Sequence, residues 1–274
     1  MTDKNIFNIE VRLLLEAIYL KYNYDFKHYG LASIHRRLAI ALSRYNIKSV
    51  SALQEKVLRE PEFFSAILQY LTISTTEMFR DPAYFKAFRE KVVPHLKSYP
   101  SLKFWIAGCS TGEEVYSFAI LLKEVDLYER TMIYATDINP VSLAKSKEGI
   151  YRSEDIKKHT VNYQKSGGKK SLSDYYTAKY SVVAIDPALK ANIVFADHSL
   201  STDHVFSEMQ FISCRNVLIY FDKELQNRAI GLFHESLCRQ GFLGIGEKES
   251  LRFSNLADSF QPWAKDEKIY RKIS

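Results

Sequence analysis

A chain of 274 residues with 46% hydrophobic and 26% charged residues has material for a sizeable core, which excludes a disordered or fibrous polymer. No apolar run reaches the length of a membrane span, the N-terminus lacks the apolar core of a signal peptide, and the widely spaced Cys109, Cys214 and Cys238 exclude a disulfide framework or zinc site. A net charge of +6 and a pI near 9.0 favour acidic partners, yet no Lys/Arg-dense tract supports nucleic acid, so an acidic protein partner, a monomer, no direct membrane insertion and a reducing cytoplasm are expected.

Residues 1–72 read as helices alone. Ile9, Leu13, Ala17 and Leu20 mark one face of a first helix. A second over 33–46 has Ile34, Leu38, Ala41, Leu42 and Tyr45 on its apolar side, while Arg36, Arg37 and Arg44 leave that side. Arg37 and Arg44 stand seven apart, hence on one flank, which by itself reads as an ordinary solvated face. A third helix is expected over 51–58. Pro61 starts a fourth carrying Phe63, Phe64, Ile67, Leu68 and Leu71. After a link, Asp81-Pro82 reads as an N-cap and first position.

The centre of the chain is residues 103–122. The apolar run 104–107 suits a buried parallel strand, and Gly108, Ser110, Thr111 and Gly112 form a turn. Val115, Phe118, Ala119 and Leu122 then recur at helical spacing. Strand, glycine turn and helix open a nucleotide-binding α/β sheet, whose ligand lies over the turn. Residues 132–136 read as strand two, with Asp137 at its tip placed for a ribose diol. The turn lacks G-x-G-x-x-G, and Glu113 and Glu114 stand where a pyrophosphate would sit, which argues against a nicotinamide dehydrogenase. Carboxylates there suit an ammonium or sulfonium ligand such as S-adenosylmethionine; the pair also favours a helix start on its own.

Asn139-Pro140 caps a helix to about residue 148. Residues 151–190 change character, with Gly167-Gly168 and short β-like runs such as 180–185. The run 193–196 returns to the sheet and leads into Ser199 and Leu200. A fourth core strand, 209–213, delivers Arg215, Asn216 and Tyr220 to the ligand face; Tyr220 taken alone reads as a core aromatic. Asp222 should cap a helix running to 240, stopped by Gly241, and 242–245 with 268–273 should form a closing hairpin.

Four stretches in order, Thr75-Thr-Glu-Met-Phe-Arg-Asp-Pro82, Ala107-Gly-Cys-Ser-Thr-Gly-Glu-Glu-Val-Tyr-Ser117, Ala135-Thr-Asp-Ile-Asn139 and Cys214-Arg-Asn-Val-Leu-Ile-Tyr-Phe-Asp222, resemble the chemotaxis receptor methyltransferases of the CheR type. The resemblance covers nearly the whole chain. It implies a doubly wound, mostly parallel Rossmann-like α/β sheet with an antiparallel edge over 73–274. A small all-helical receptor-docking domain precedes it over 1–72, and a small β insertion lies at about 151–190. It implies S-adenosylmethionine as cofactor, S-adenosylhomocysteine as product, and transfer to glutamate carboxylates on the acidic helical region of a methyl-accepting receptor.

By the same resemblance Ser74, Thr76, Arg80, Gly108, Glu113, Asp137, Ser199, Leu200, Arg215 and Asn216 contact the cofactor, and Arg80 and Tyr220 serve the reaction. Arg36, Arg37 and Arg44 meet the receptor, and the β insertion grips a receptor tail in some members. The chain departs from the family where Ser74 and Ser199 replace asparagines and where Ala39 to Ala41 lack further basic residues. No Ser/His/Asp or Cys/His set is recognisable and no histidines stand at metal-ligand spacing, so no metal is expected. A DNA amino-methyltransferase would need an Asp/Asn-Pro-Pro-aromatic signature that is missing. A CheR-like module acting on another acceptor, or one that docks without catalysis, remains as an alternative.

Overall fold

The computed structural model describes residues 3–72 and 75–274. Helices α1 (Asp3–Tyr22), α2 (Leu31–Arg44), α3 (Val50–Arg59) and α4 (Pro61–Leu71) bury Val11, Leu14, Ile18, Ile34, Leu38, Leu53 and Ile67 in a core of their own. Ser49 starts α3 by accepting from the Ala52 amide at 3.1 Å, and Pro61 opens α4. The face expected for α1 is the wrong one. Leu13 and Leu20 are 56% and 76% exposed and Ile9 is exposed too, while Val11, Leu14, Leu15 and Ile18 form the buried stripe. Both stripes repeat at helical spacing, so periodicity alone could not say which one meets the other helices.

Helix α5 (Pro82–Ala87) runs through a π-helical turn (Phe88–Val92) into α6 (Val93–Leu96). Asp81 does not cap α5: its backbone is left-handed, φ 57°, and its carboxylate is taken by Arg215 at 2.7 Å. The α/β unit then alternates as β1 (Leu102–Ala107), α7 (Glu113–Glu124), β2 (Thr131–Asp137) and α8 (Pro140–Glu148). Asn139 caps α8, accepting from the Val141 and Ser142 amides.

Residues 150–185 hold a small antiparallel sheet made of β3 (Ile150–Arg152), β4 (Tyr176–Lys179) and β5 (Val182–Ile185), with β5 central. Between β3 and β4 lies α9 (Ser153–Lys165), which the sequence did not announce. It buries only His159 and Tyr163, too few apolar positions to set a period. Strands β6 (Ile193–Asp197) and β7 (Met209–Cys214), helix α10 (Lys223–Ser236) and strands β8 (Leu237–Ile245), β9 (Phe260–Ala264) and β10 (Ile269–Lys272) complete the chain.

Helix α10 stops at Ser236, short of the expected 240, and Gly241 is no helix cap. It lies in a bulge of β8, where Leu237 and Phe242 face Met209 and Phe211 of β7. Lys272 satisfies the carbonyls of His234 and Leu237 at the helix end, 2.7 and 2.9 Å away. The expected pairing of 242–245 with the C-terminal strand is present, with β9 added outside it.

Among the described residues the main sheet runs β6-β2-β1-β7-β8-β10-β9, parallel through β8 and antiparallel beyond. The chain winds outward from β1 through β2 to β6, then crosses to β7 on the other side of β1. That reversal makes β1 a switch point of the sheet, and a crevice lies at the carboxyl ends of its strands. The helical unit closes one side of it: the amides of Gly30 and Asp222 donate to the carbonyls of Tyr220 and His28, and Tyr29 bridges Phe221.

Candidate cofactor and methyl-transfer site

The crevice holds a cleft of about 920 Å³, open mouth included. Its floor is the turn after β1. Gly108 sits at φ 72°, and its amide and that of Cys109 both donate to the Thr136 carbonyl at 2.8 Å. A Cβ at Gly108 would lie 2.5 Å from Cγ2 of Val217, so only glycine lets the two loops approach. Ser110 follows at φ 51° and donates its amide to Oδ2 of Asp137 at 2.8 Å.

Asp137, at the tip of β2, lines this cleft. Its Oδ1 accepts from the Asn139 amide at 2.9 Å. Burial raises its pKa above the usual carboxylate value, with the backbone amides pulling partly the other way.

The two glutamates that open α7 separate. Glu113 does not line the cleft; it is buried, accepts from Thr111 Oγ1 at 2.7 Å, and burial raises its pKa. Glu114 is the one that faces the cleft. Ser213 Oγ donates to its Oε1 at 2.7 Å and Arg215 Nη1 to its Oε2 at 2.8 Å. The cleft-facing place expected of Glu113 is thus taken by Glu114: successive helical residues point about 100° apart, and an EE pair does not say which one looks inward.

Arg215 is wholly buried, spans Glu114 and Asp81, donates to the Arg80 carbonyl at 2.9 Å, and lies 4.1 Å over the Tyr84 ring. It is a strut between the linker after α4 and the loop after β7.

Thr76, Arg80, Leu200, Asn216 and Tyr220 all line the cleft. Ser199 does not: its hydroxyl pairs with that of Ser201 at 2.8 Å and its amide donates to Asp203, so a local turn occupies it while His198 and Leu200 take the wall. Ser74 lies outside the described residues.

Arg37 is the largest departure. It is 6% exposed, so it cannot share an open docking face with Arg36 and Arg44, which are exposed. Its guanidinium donates to the Leu71 carbonyl, lies 4.9 Å over the Tyr220 ring and lines the cleft, and burial lowers its pKa. Among the described residues its Nε and Nη2 have no hydrogen-bond partner. The signal was in the sequence: Arg37 falls between Ile34, Leu38 and Ala41, within the apolar stripe of α2. Tyr29, from the loop before α2, Leu71 and Thr72 at the end of α4, and His198 also line the cleft and lie in no motif.

A glycine turn at a topological switch, an acidic residue at the tip of the second strand, and a carboxylate where a pyrophosphate-binding turn would be open fit the ammonium and ribose groups of S-adenosylmethionine. The fold and cleft define an S-adenosylmethionine-dependent methyltransferase. Residues 74–269 match the CheR methyltransferase SAM-binding domain and residues 9–72 the CheR methyltransferase all-alpha domain, so the chain belongs to the CheR methyltransferase family.

Among its relatives is Cher3 of Pseudomonas putida, a methyltransferase by name, 57% identical over 99% of this chain and 100% of its own length. A chemotaxis protein methyltransferase of Listeria innocua is 32% identical over 73% of this chain and 72% of its own. Chemotaxis protein methyltransferase 1 of Pseudomonas aeruginosa is 27% identical over 83% of this chain and 84% of its own.

Proposed function

We propose that the protein transfers the methyl group of S-adenosylmethionine to glutamate side chains on the acidic helical cytoplasmic region of a methyl-accepting receptor, giving methyl esters. One observation carries the reading. Arg37 and Arg80 line the same cleft as Tyr220, and among the described residues neither is ion-paired with a carboxylate. A buried guanidinium without a counter-ion is costly, and an acidic acceptor would supply one. Arg80 now spends a hydrogen bond on the Thr75 carbonyl, at 3.3 Å.

A glutamate carboxylate with a pKa near ~4.3 is already a nucleophile at neutral pH, so no side chain need take a proton from it. The protein's part is to hold the carboxylate oxygen in line with the methyl carbon and to keep water out. Arg37 and Arg80 would hold the acceptor by charge-assisted hydrogen bonds and Tyr220 by a neutral one. Asp137 would take the ribose hydroxyls and Glu114 the cationic amino-acid end of the cofactor, with Thr76, Gly108, Leu200, Arg215 and Asn216 around it. The exposed Arg36 and Arg44 would meet the receptor's acidic surface.

The test is transfer of labelled methyl from S-adenosylmethionine to purified receptor cytoplasmic regions, followed by mild alkali. An ester releases methanol; a methyl group that survives alkali would rule out the glutamate acceptor.

A further inference from the structure

The loop after β7, which carries Asn216 and Tyr220 to the cleft, rests on a carboxylate outside the cofactor site. Strand β8 ends at Ile245 and the chain turns at once, the Glu249 amide donating to the Gly246 carbonyl at 2.9 Å. This turn folds the Glu249 side chain back beneath the loop, where it is 5% exposed. Its Oε2 accepts from the amides of Asn216, at 3.1 Å, and Gly246; its Oε1 accepts from the Ile219 amide at 3.2 Å. Among the described residues no lysine, arginine or histidine pairs with it. A buried carboxylate without a cation is retained only where other donors compensate its lost hydration, and here they are the loop's own amides.

The loop needs that support. Asn216 is held at φ 61°, a region side-chain-bearing residues rarely adopt, and residues 218–220 form a single 3₁₀ turn ending at Tyr220. The clamp also leaves no room at Gly246, where a Cβ would lie 2.8 Å from both the Asn216 nitrogen and Glu249 Oε2.

We propose that Glu249 is a positioning residue: by gathering the amides of Asn216, Ile219 and Gly246 it fixes the left-handed Asn216 and the turn behind it, so that Asn216 and Tyr220 face the cleft. The inference rests on the reading of Asn216 as a cofactor contact. Glu249 does not line the cleft, so its effect is exerted through the loop.

Calorimetry with S-adenosylhomocysteine on Glu249→Gln, Asn216→Ala and the double variant tests it, together with hydrogen exchange at single amides. Glutamine keeps the size but brings an NH₂ group among donors. Glu249→Gln should weaken binding about tenfold. Asn216→Ala should weaken it too, and the double variant should bind about as weakly as the worse single one, because both act on one contact. The amides of Asn216 and Ile219 should exchange faster while those of β1 and β2 keep their protection.

Unchanged affinity with protected loop amides would overturn the proposal. So would losses that simply add in the double variant with faster exchange throughout the sheet, the mark of general destabilisation. Normal affinity in Asn216→Ala beside a loss in Glu249→Gln would instead remove the Asn216 contact and leave Glu249's hold on the loop standing. If Glu249→Gln does not fold, Gly246→Ala pushes a methyl group into the same clamp, and the same local pattern is expected of it.

Discussion

Arg37 and Asp137 show what single residues contribute. Each is a charged group kept in a place where its charge is costly, and the direction of its pKa shift records that cost. For Asp137 the shift has a consequence for the cofactor. Burial raises its pKa, so the carboxylate takes up a proton at higher pH than a free aspartate would, and it is then a weaker acceptor for the ribose diol it is proposed to hold. Affinity for S-adenosylhomocysteine should therefore fall as pH drops through that raised value, and Asp137→Asn should bind weakly with a flatter acid limb. Calorimetry across the acid range checks this; an unchanged acid limb in Asp137→Asn would assign it to another group.

Tyr220→Phe deletes one hydroxyl, keeps the ring under Arg37 and should leave the fold intact. Turnover should fall about tenfold or more with cofactor affinity nearly unchanged, because orientation of the acceptor, not binding, is lost. Arg80→Ala should cost more, since a cation facing the acceptor goes with it. Steady-state kinetics beside calorimetry separates the two effects, and a loss confined to cofactor affinity would contradict the assignment.

The elements were legible to different depths. The turn after β1, the acidic tip of β2 and the arrival of Arg215, Asn216 and Tyr220 after β7 could be read because glycine spacing and strand periodicity are local. What could not be read depends on partners far along the chain. Which stripe of α1 is buried, which glutamate of the pair opening α7 faces the cleft, and whether Gly241 ends a helix or serves a bulge are decided by neighbours no local pattern names.

Helix α2 combines both cases. Ile34, Leu38 and Ala41 of its expected apolar stripe are buried, but Tyr45 is exposed, and Arg37, expected to leave that stripe, lies within it. The helix now divides into two roles with separate consequences. Arg36→Glu with Arg44→Glu should weaken association with an acidic receptor and flatten its salt dependence, while turnover at saturating receptor persists. Arg37→Ala should lower turnover even at saturating receptor. Binding titrations at two salt concentrations check the pair; equal binding by the double variant would make the outer face an ordinary solvated one.

At the scale of the whole molecule, the helical unit closes one side of the cleft and supplies Tyr29, Arg37, Leu71 and Thr72 to its lining. The bonds from residues 28–30 to the loop at 220–222, and Arg37 over Tyr220, tie the surface proposed to meet the receptor to the residues proposed to orient the acceptor. A carboxylate presented on a receptor helix would thus be read by both units at once. The most direct test is to methylate a receptor cytoplasmic region with labelled S-adenosylmethionine and map the modified residue by mass spectrometry of its peptides, with Tyr220→Phe and Arg80→Ala in parallel. The account predicts alkali-labile label on glutamate side chains of the helical region, lower in both variants. Label on a nitrogen-bearing side chain, or undiminished label in both variants, would contradict it.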